Sequence, residues 1–209
     1  MTKAPAVQEV STPVGTARTT TEGPSGGATM VLGHGAGGGI DAPDLLAARD
    51  AALGCGLRVV RVEQPWRLAG RRIAEAPPRL DLAWTAVLEA LDGPLVAGGR
   101  SAGARVACRT AAQTGAAAVL ALAFPLVPPG RPDRSRLAEL LLPSRPRLVV
   151  QGSRDGFGIP PAVDGVEVHV VEGADHAFSV RRRDGRKPQE VLDEIRDGVA
   201  SWLRRQTLT

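Results

Sequence analysis

Short runs of consecutive apolar residues alternate with stretches whose apolar positions recur every three or four residues, almost from end to end of the chain. Uninterrupted apolar runs mark strands covered on both faces, and the three-to-four spacing marks amphipathic helices. Their alternation predicts an α/β architecture: a mainly parallel central sheet with helices on both faces. Residues 6–20 break the pattern, because Thr-rich polar alternation there predicts one or two short strands, or a hairpin.

The elements follow in order. A buried strand over 28–32 ends at a glycine cluster, and a helix over 44–53 is closed by Gly54 and Gly56. A strand over 57–62 precedes a loop, 64–78, that carries Pro65-Trp66, two arginines and Pro77-Pro78. An amphipathic helix over 80–91 leads to a strand over 94–98, a helix over 102–113 and a strand over 117–124. Residues 125–146 hold one short helix, 135–142, between prolines. Strands over 147–151 and 166–171 and a closing helix over 188–206 complete the chain. Glycine and proline clusters fall between elements, where turns need them. With 209 residues, no internal repeat and no linker-like stretch, the chain 1–209 reads as one domain.

Composition narrows the function classes. The sequence has no Tyr, three Phe and three Trp, too few aromatics for a base-stacking surface, so no nucleic-acid partner is expected. The net charge of +4 owes most to arginine, and the densest run, Arg181-Arg182-Arg183 with Arg186 and Lys187, reads as a solvated loop before the last helix. The N-terminus lacks an apolar signal core, and the longest apolar stretch, 116–127, is short and broken by Pro125, so no membrane partner is expected. Two cysteines, Cys55 and Cys108, are too few for a disulfide framework, and neither lies beside a base. A reducing, cytoplasmic setting is the expectation.

Candidate chemistry starts where the strand 94–98 runs into Gly99-Arg100-Ser101-Ala102-Gly103 and a helix begins at once. This is a G-x-S-x-G string at a strand-to-helix turn. A serine there is lifted off the strand by a strained backbone, and the residues two positions either side must be nearly free of Cβ to avoid the adjacent strand or helix. The string alone is common by chance among 25 glycines; its strand-to-helix context is what marks Ser101 as a nucleophile.

In open parallel sheets, ligands gather beyond the carboxyl ends of the strands. The residues found there are Gly33-His34-Gly35-Ala36-Gly37-Gly38-Gly39, Ser101, Gly152-Ser153-Arg154-Asp155-Gly156, and Glu172-Gly173-Ala174-Asp175-His176-Ala177-Phe178. A serine hydroxyl needs a base within hydrogen-bond reach. Of three histidines, His169 lies inside a strand and His34 is placed to brace the glycine run, which leaves His176, just past a strand, as the base. Asp175 is its neighbour, but adjacent side chains diverge, whereas Asp155 at the end of the preceding strand can orient the imidazole and stabilise the imidazolium. Backbone amides supply the oxyanion site: Ala102 at the start of its helix, and Ala36 from the glycine run, with Gly37 as the alternative. Losing one such donor costs on the order of 3 kcal/mol of transition-state stabilisation. His34, Gly37, Trp66, Arg100, Phe157 and Phe178 are the candidate pocket residues; core packing is the equal alternative for the three aromatics Trp66, Phe157 and Phe178, and a carboxylate or solvent partner is favoured over substrate for Arg100.

With these residues in view the chain resembles the α/β-hydrolases, whose nucleophile, acid and base follow one another in the order Ser101, Asp155, His176 here. More narrowly it is similar to the small dienelactone-hydrolase-like group, through His34-Gly35-Ala36-Gly37-Gly38, Gly98-Gly99-Arg100-Ser101-Ala102-Gly103, Gln151-Gly152-x-x-Asp155 and Asp175-His176-x-Phe178. The resemblance covers roughly residues 28–205. It implies an α/β-hydrolase fold and a serine hydrolase acting on the acyl bond of a small molecule, with no metal and no organic cofactor. Many members carry a lid after the strand that here ends at Phe124; residues 125–146 leave room for one short helix, so a minimal lid and an open pocket are expected.

Two other readings use the same residues. Gly33 to Gly38 also satisfies G-x-G-x-x-G after a strand, with Glu63 at the end of the next, as an NAD(P)-binding oxidoreductase would have it. Asp41 and Pro43 intervene before the helix, which sets its N-terminus far from a pyrophosphate on that run. A non-catalytic scaffold with a hydrolase-like fold is the third reading; such proteins often lose a member of the triad, and all three residues are present here.

Overall fold

The computed structural model describes residues 4–208. Eight of the fifteen elements among the described residues are strands, and they form one sheet in the order β1-β2-β4-β3-β5-β6-β7-β8. Polar alternation at the N-terminus becomes a hairpin, β1 (Ala6–Thr12) and β2 (Gly15–Glu22), and β2 joins β4 (Arg58–Glu63) antiparallel. From β4 onward the sheet is parallel, through β3 (Thr29–Gly33), β5 (Leu95–Arg100), β6 (Ala118–Leu122), β7 (Arg147–Gly152) and β8 (Val166–Val171). The strands β3, β6 and β7 are buried at every residue, as continuous apolar runs require when helices cover both faces.

Side chains leave these strands alternately to two cores. Met30, Leu32, Val96, Leu120, Leu122, Leu148 and Val150 point to the face covered by α1 (Pro43–Gly54) and α6 (Pro188–Arg204). Val31, Leu95, Ala97, Val119, Ala121 and Val149 point to the opposite face, under α2 (Pro65–Leu68), α3 (Pro77–Glu89), α4 (Ala102–Thr110) and α5 (Leu137–Leu141). The loop expected over 64–78 thus contains α2 and the start of α3. Proline lacks an N–H that a first helical turn leaves unbonded anyway, so Pro65 and Pro77 open these helices.

The connection leaving β3 runs to β4 on one side and the connection leaving β5 runs to β6 on the other, so β3 and β5 flank the topological switch point. Gly33 pairs with Gly99 across that seam, which brings the glycine run and Ser101 to the same carboxyl edge. Between β6 and β7, residues 125–146 carry only the five-residue α5, and no bulky lid covers the edge. No helix among the described residues is long and apolar enough to cross a membrane.

Candidate active site

Ser101 occupies the turn between β5 and α4 with φ 53° and ψ −108°. A non-glycine residue rarely takes a positive φ, and here the packing around the turn imposes it. An ideal Cβ on Gly99 would lie 2.6 Å from the Gly103 carbonyl carbon and 2.7 Å from the Gly33 oxygen, while one on Gly103 would lie 2.6 Å from the Gly33 carbonyl carbon. The two glycines of the string are therefore what lets α4 start directly against β3 and β5. The Ser101 N–H is held by the Leu122 carbonyl at 2.9 Å.

The loop after β8 delivers His176 to this turn. Its Nε2 is 3.1 Å from Ser101 Oγ, and its Nδ1 is 2.8 Å from Asp155 Oδ2. Asp155 sits in the turn after β7 with its side chain fully buried, whereas a quarter of the His176 side chain is exposed. Buried carboxylate oxygens need donors. Oδ1 accepts from the Phe157 N–H at 2.8 Å, and Oδ2 also accepts from Gln151 Nε2 at 2.7 Å. With Nδ1–H donated to Asp155, the His176 tautomer that results leaves Nε2 free to accept the Ser101 hydroxyl. The Phe157 ring lies 4.5 Å, centroid to centroid, from the imidazole.

Asp175 does not contribute to this chain of contacts. Its Oδ1 accepts from the Ala177 and Ser179 N–H groups, both at 2.9 Å, and so folds the loop that carries His176. His169 pairs with Glu194 on α6 at 3.0 Å, far from the turn in the fold. His34 braces the glycine run: Nε2 accepts from the Gln64 N–H at 3.2 Å, and Nδ1 lies 2.9 Å from the Gly35 carbonyl. Burial pushes its pKa below the ordinary histidine value, and the Gly35 hydrogen bond opposes this only in part.

Ala102 is the first residue of α4, and Ala36 is half-buried in the glycine run; neither amide has a backbone acceptor among the described residues. Gly37 is exposed. Trp66 and Phe178, expected either near the pocket or in the core, are core residues at 3% and 4% exposure. Trp66 packs against His34 at 5.5 Å, beneath the glycine run, and Phe178 joins the α1–α6 core. Arg100 also turns away from the edge, toward Asp44 and the His176 backbone. Cys108 is buried, with its thiol pushed up to about 12 by that burial, which makes it no nucleophile.

Two contributors, Gln151 and Asp44, had no role assigned from the sequence. Gln151 is a fully buried polar residue that follows the apolar Leu148-Val149-Val150 in β7, a signal that it serves a neighbour, and that neighbour is Asp155. Asp44 is 4% exposed in the first turn of α1, and burial raises its pKa against the opposing pull of Arg100 and of the backbone amides of that turn. It stands at the helix N-terminus, where a dinucleotide-binding protein would hold a phosphate, and residues 34–43 separate it from Gly33, so the oxidoreductase reading loses its anion site. Arg100, for which the sequence favours a carboxylate or solvent over substrate, meets the carboxylate of Asp44.

Residues 26–204 match the family model described as an alpha/beta hydrolase domain. A sequence search of curated proteins finds no match. Among solved structures the chain is similar to an alpha-beta serine hydrolase homologue from Coxiella burnetii, at 22% identity and TM-score 0.71 over 96% of this chain and 98% of that one. It is also similar to an α/β serine hydrolase without a lid from Xanthomonas campestris, at 21% identity and TM-score 0.71 over 96% and 95%. A dienelactone hydrolase from Anabaena variabilis aligns at 17% identity and TM-score 0.69 over 98% and 99%. With the family model spanning most of its length and the sheet wound in the same way, the chain belongs to the alpha/beta hydrolase domain family.

Proposed function

We propose that the protein is a serine hydrolase that cleaves a carboxylic ester or a related acyl bond of a small molecule through an acyl-enzyme. The observation that carries this reading is the continuous hydrogen-bond chain from Ser101 Oγ through His176 to the buried Asp155, at 3.1 and 2.8 Å. A serine at an ordinary helix N-cap has no reason to adopt φ 53° and to meet an imidazole backed by a desolvated carboxylate.

Ser101 Oγ attacks the acyl carbon while His176 Nε2 takes the hydroxyl proton, and Asp155 stabilises the imidazolium that forms. The carbonyl electron pair moves onto oxygen, and the amides of Ala102 and Ala36 receive the resulting oxyanion, assisted by the positive end of α4. Collapse of this intermediate expels the alcohol, which takes the proton from His176 and leaves the acyl group on Ser101. Water, deprotonated by His176, repeats the sequence and frees the carboxylic acid and the serine hydroxyl. Each step uses groups of this chain and water.

The test is covalent labelling with a fluorophosphonate probe, followed by a panel of p-nitrophenyl esters. Labelling of the wild type, lost in Ser101→Ala, together with ester turnover, is the expected result. A folded wild type that neither labels nor turns over any ester or thioester would refute the reading.

A further inference from the structure

Arg100 precedes the proposed nucleophile, and a charged residue in that place has three ready explanations: it meets a carboxylate of the chain, it faces solvent, or it meets an anionic substrate. Only the first agrees with its surroundings. The guanidinium runs beneath the carboxyl edge, with only 14% of its side chain exposed. Nη2 donates to the backbone carbonyl of His176 at 2.9 Å. Nε is 3.2 Å from Asp44 Oδ2, on the first turn of α1. Gly35 rests against the same group, since a Cβ there would lie 3.0 Å from Nη1 and 3.3 Å from Cδ.

One side chain therefore touches three of the segments that the proposed reaction must keep in register, while the turn that carries Asp155 is held separately by Gln151. Arg100 is rooted one residue before Ser101, it holds the carbonyl of the residue that supplies the base, and it packs under the run that supplies the second oxyanion amide. It also ties that run to the helix that follows it, through Asp44. A buried arginine without a counter-charge would be strongly disfavoured, and Asp44, itself 4% exposed, provides the charge. The planar fork is suited to this work, because it presents several donors at fixed angles where a lysine presents one mobile point charge.

We propose that Arg100, neutralised by Asp44, is a positioning residue that holds the His176 loop and the glycine run in fixed relation to Ser101. The role assigned to the reaction rests on the hydrolase reading above, while the contacts themselves do not. Misplacing a catalytic group by about 1 Å costs on the order of a hundredfold in rate.

The experiment compares wild type with Arg100→Gln, Arg100→Lys, Arg100→Ala and Asp44→Asn by fluorophosphonate labelling rate, ester kinetics and amide hydrogen exchange. Arg100→Lys keeps the positive charge beside Asp44, and Asp44→Asn keeps its shape, so at least one variant survives if another fails to fold. Expected are a labelling rate and kcat lowered about ten- to a hundredfold in Arg100→Gln and Arg100→Lys, with KM for neutral esters nearly unchanged. Asp44→Asn should show a smaller loss in the same parameters. Methylguanidinium, but not methylammonium, should restore part of the rate in Arg100→Ala. Exchange at 174–178 and 34–38 should quicken about tenfold in Arg100→Gln while the strands stay protected. Unchanged exchange in both segments overturns the inference, as does a loss confined to KM for anionic esters, which would make Arg100 a substrate contact. If the wild type itself fails to label, the hydrolase reading falls, and exchange alone still decides whether Arg100 holds the two segments.

Discussion

Gly103→Ala tests how tightly the turn that carries Ser101 is packed, independently of any substrate. Gly103 lies in the first turn of α4, and a Cβ there would sit 2.6 Å from the Gly33 carbonyl carbon and 3.0 Å from the His34 oxygen. Carbon atoms in contact prefer about 3.5–4.0 Å, so α4 and β3 must part by roughly 1 Å. Neither partner is a side chain that can swing away. Gly33 is pinned in the ladder by Val62 on one side and Gly99 on the other. Overpacking costs about 1–3 kcal/mol, and with backbone on both sides the upper end applies. For a chain of this size 1 kcal/mol shifts Tm by about 2–4 °C, so Tm should fall by roughly 6–12 °C. Gly54→Ala is the matched control: it lies at the exposed end of α1 with nothing within 4 Å of the added methyl. There alanine restricts the unfolded chain and favours helix, a gain of about 0.5–1 kcal/mol that should raise Tm slightly. Thermal unfolding followed by circular dichroism reads both, and the labelling rate of Gly103→Ala should fall as Ser101 is displaced. If Gly103→Ala melts within about 2 °C of wild type while Gly54→Ala behaves as stated, the close approach argued for this turn is wrong.

Asp155→Asn should lower kcat on a p-nitrophenyl ester on the order of 10⁴-fold, because an amide in that place favours the wrong His176 tautomer; an effect under tenfold would remove Asp155 from its assigned role. Burial keeps the folded pKa of His34 below its usual 6.5, so unfolding lets the ring take up a proton. Its contribution to stability is therefore complete above that pH and is lost as pH falls through the folded value. Urea unfolding between pH 8 and pH 5 should show wild type losing stability relative to His34→Gln; a difference that does not change with pH would contradict this. Glu139 joins α5 to α4 by accepting from Arg105 at 2.7 and 2.8 Å and from Arg109 at 3.0 Å. Although its burial acts in the opposite sense, these two arginines hold its carboxyl below the usual glutamate value. Glu139→Ala should cost about 1–2 kcal/mol, read from the urea midpoint, and no loss would mean that solvent replaces the ion pairs freely.

The sheet was legible because its central strands bury both faces, so the sequence there is mostly apolar, and the runs over 28–32 and 147–151 each end within one residue of the observed strand. The start of α3 was harder to place. Pro77-Pro78 has the composition of a loop, yet in α3 it forms the first turn, where a missing N–H costs nothing. Ser101, Asp155 and His176 could be singled out because each follows a parallel strand, and strand ends converge whatever the loops do. What stayed out of reach depends on pairings between distant segments. Nothing near Arg100 in sequence says that its partner is Asp44, because that carboxylate is brought over only when α1 docks beside the turn. Loop composition left Trp66 and Phe178 equally open to the pocket and to the core, and both turn inward for a reason that periodicity does not encode. Phe178 holds φ 54°, a conformation that costs a bulky residue about 1 kcal/mol or more, and the ring's burial in the α1–α6 core offsets that cost. The strained residue lies two positions after His176, and its N–H closes the same turn onto the Asp175 carbonyl at 2.9 Å. The loop that presents the imidazole is thus anchored from below by a core residue and from the side by Arg100, so its geometry is set by packing that no local stretch of sequence contains.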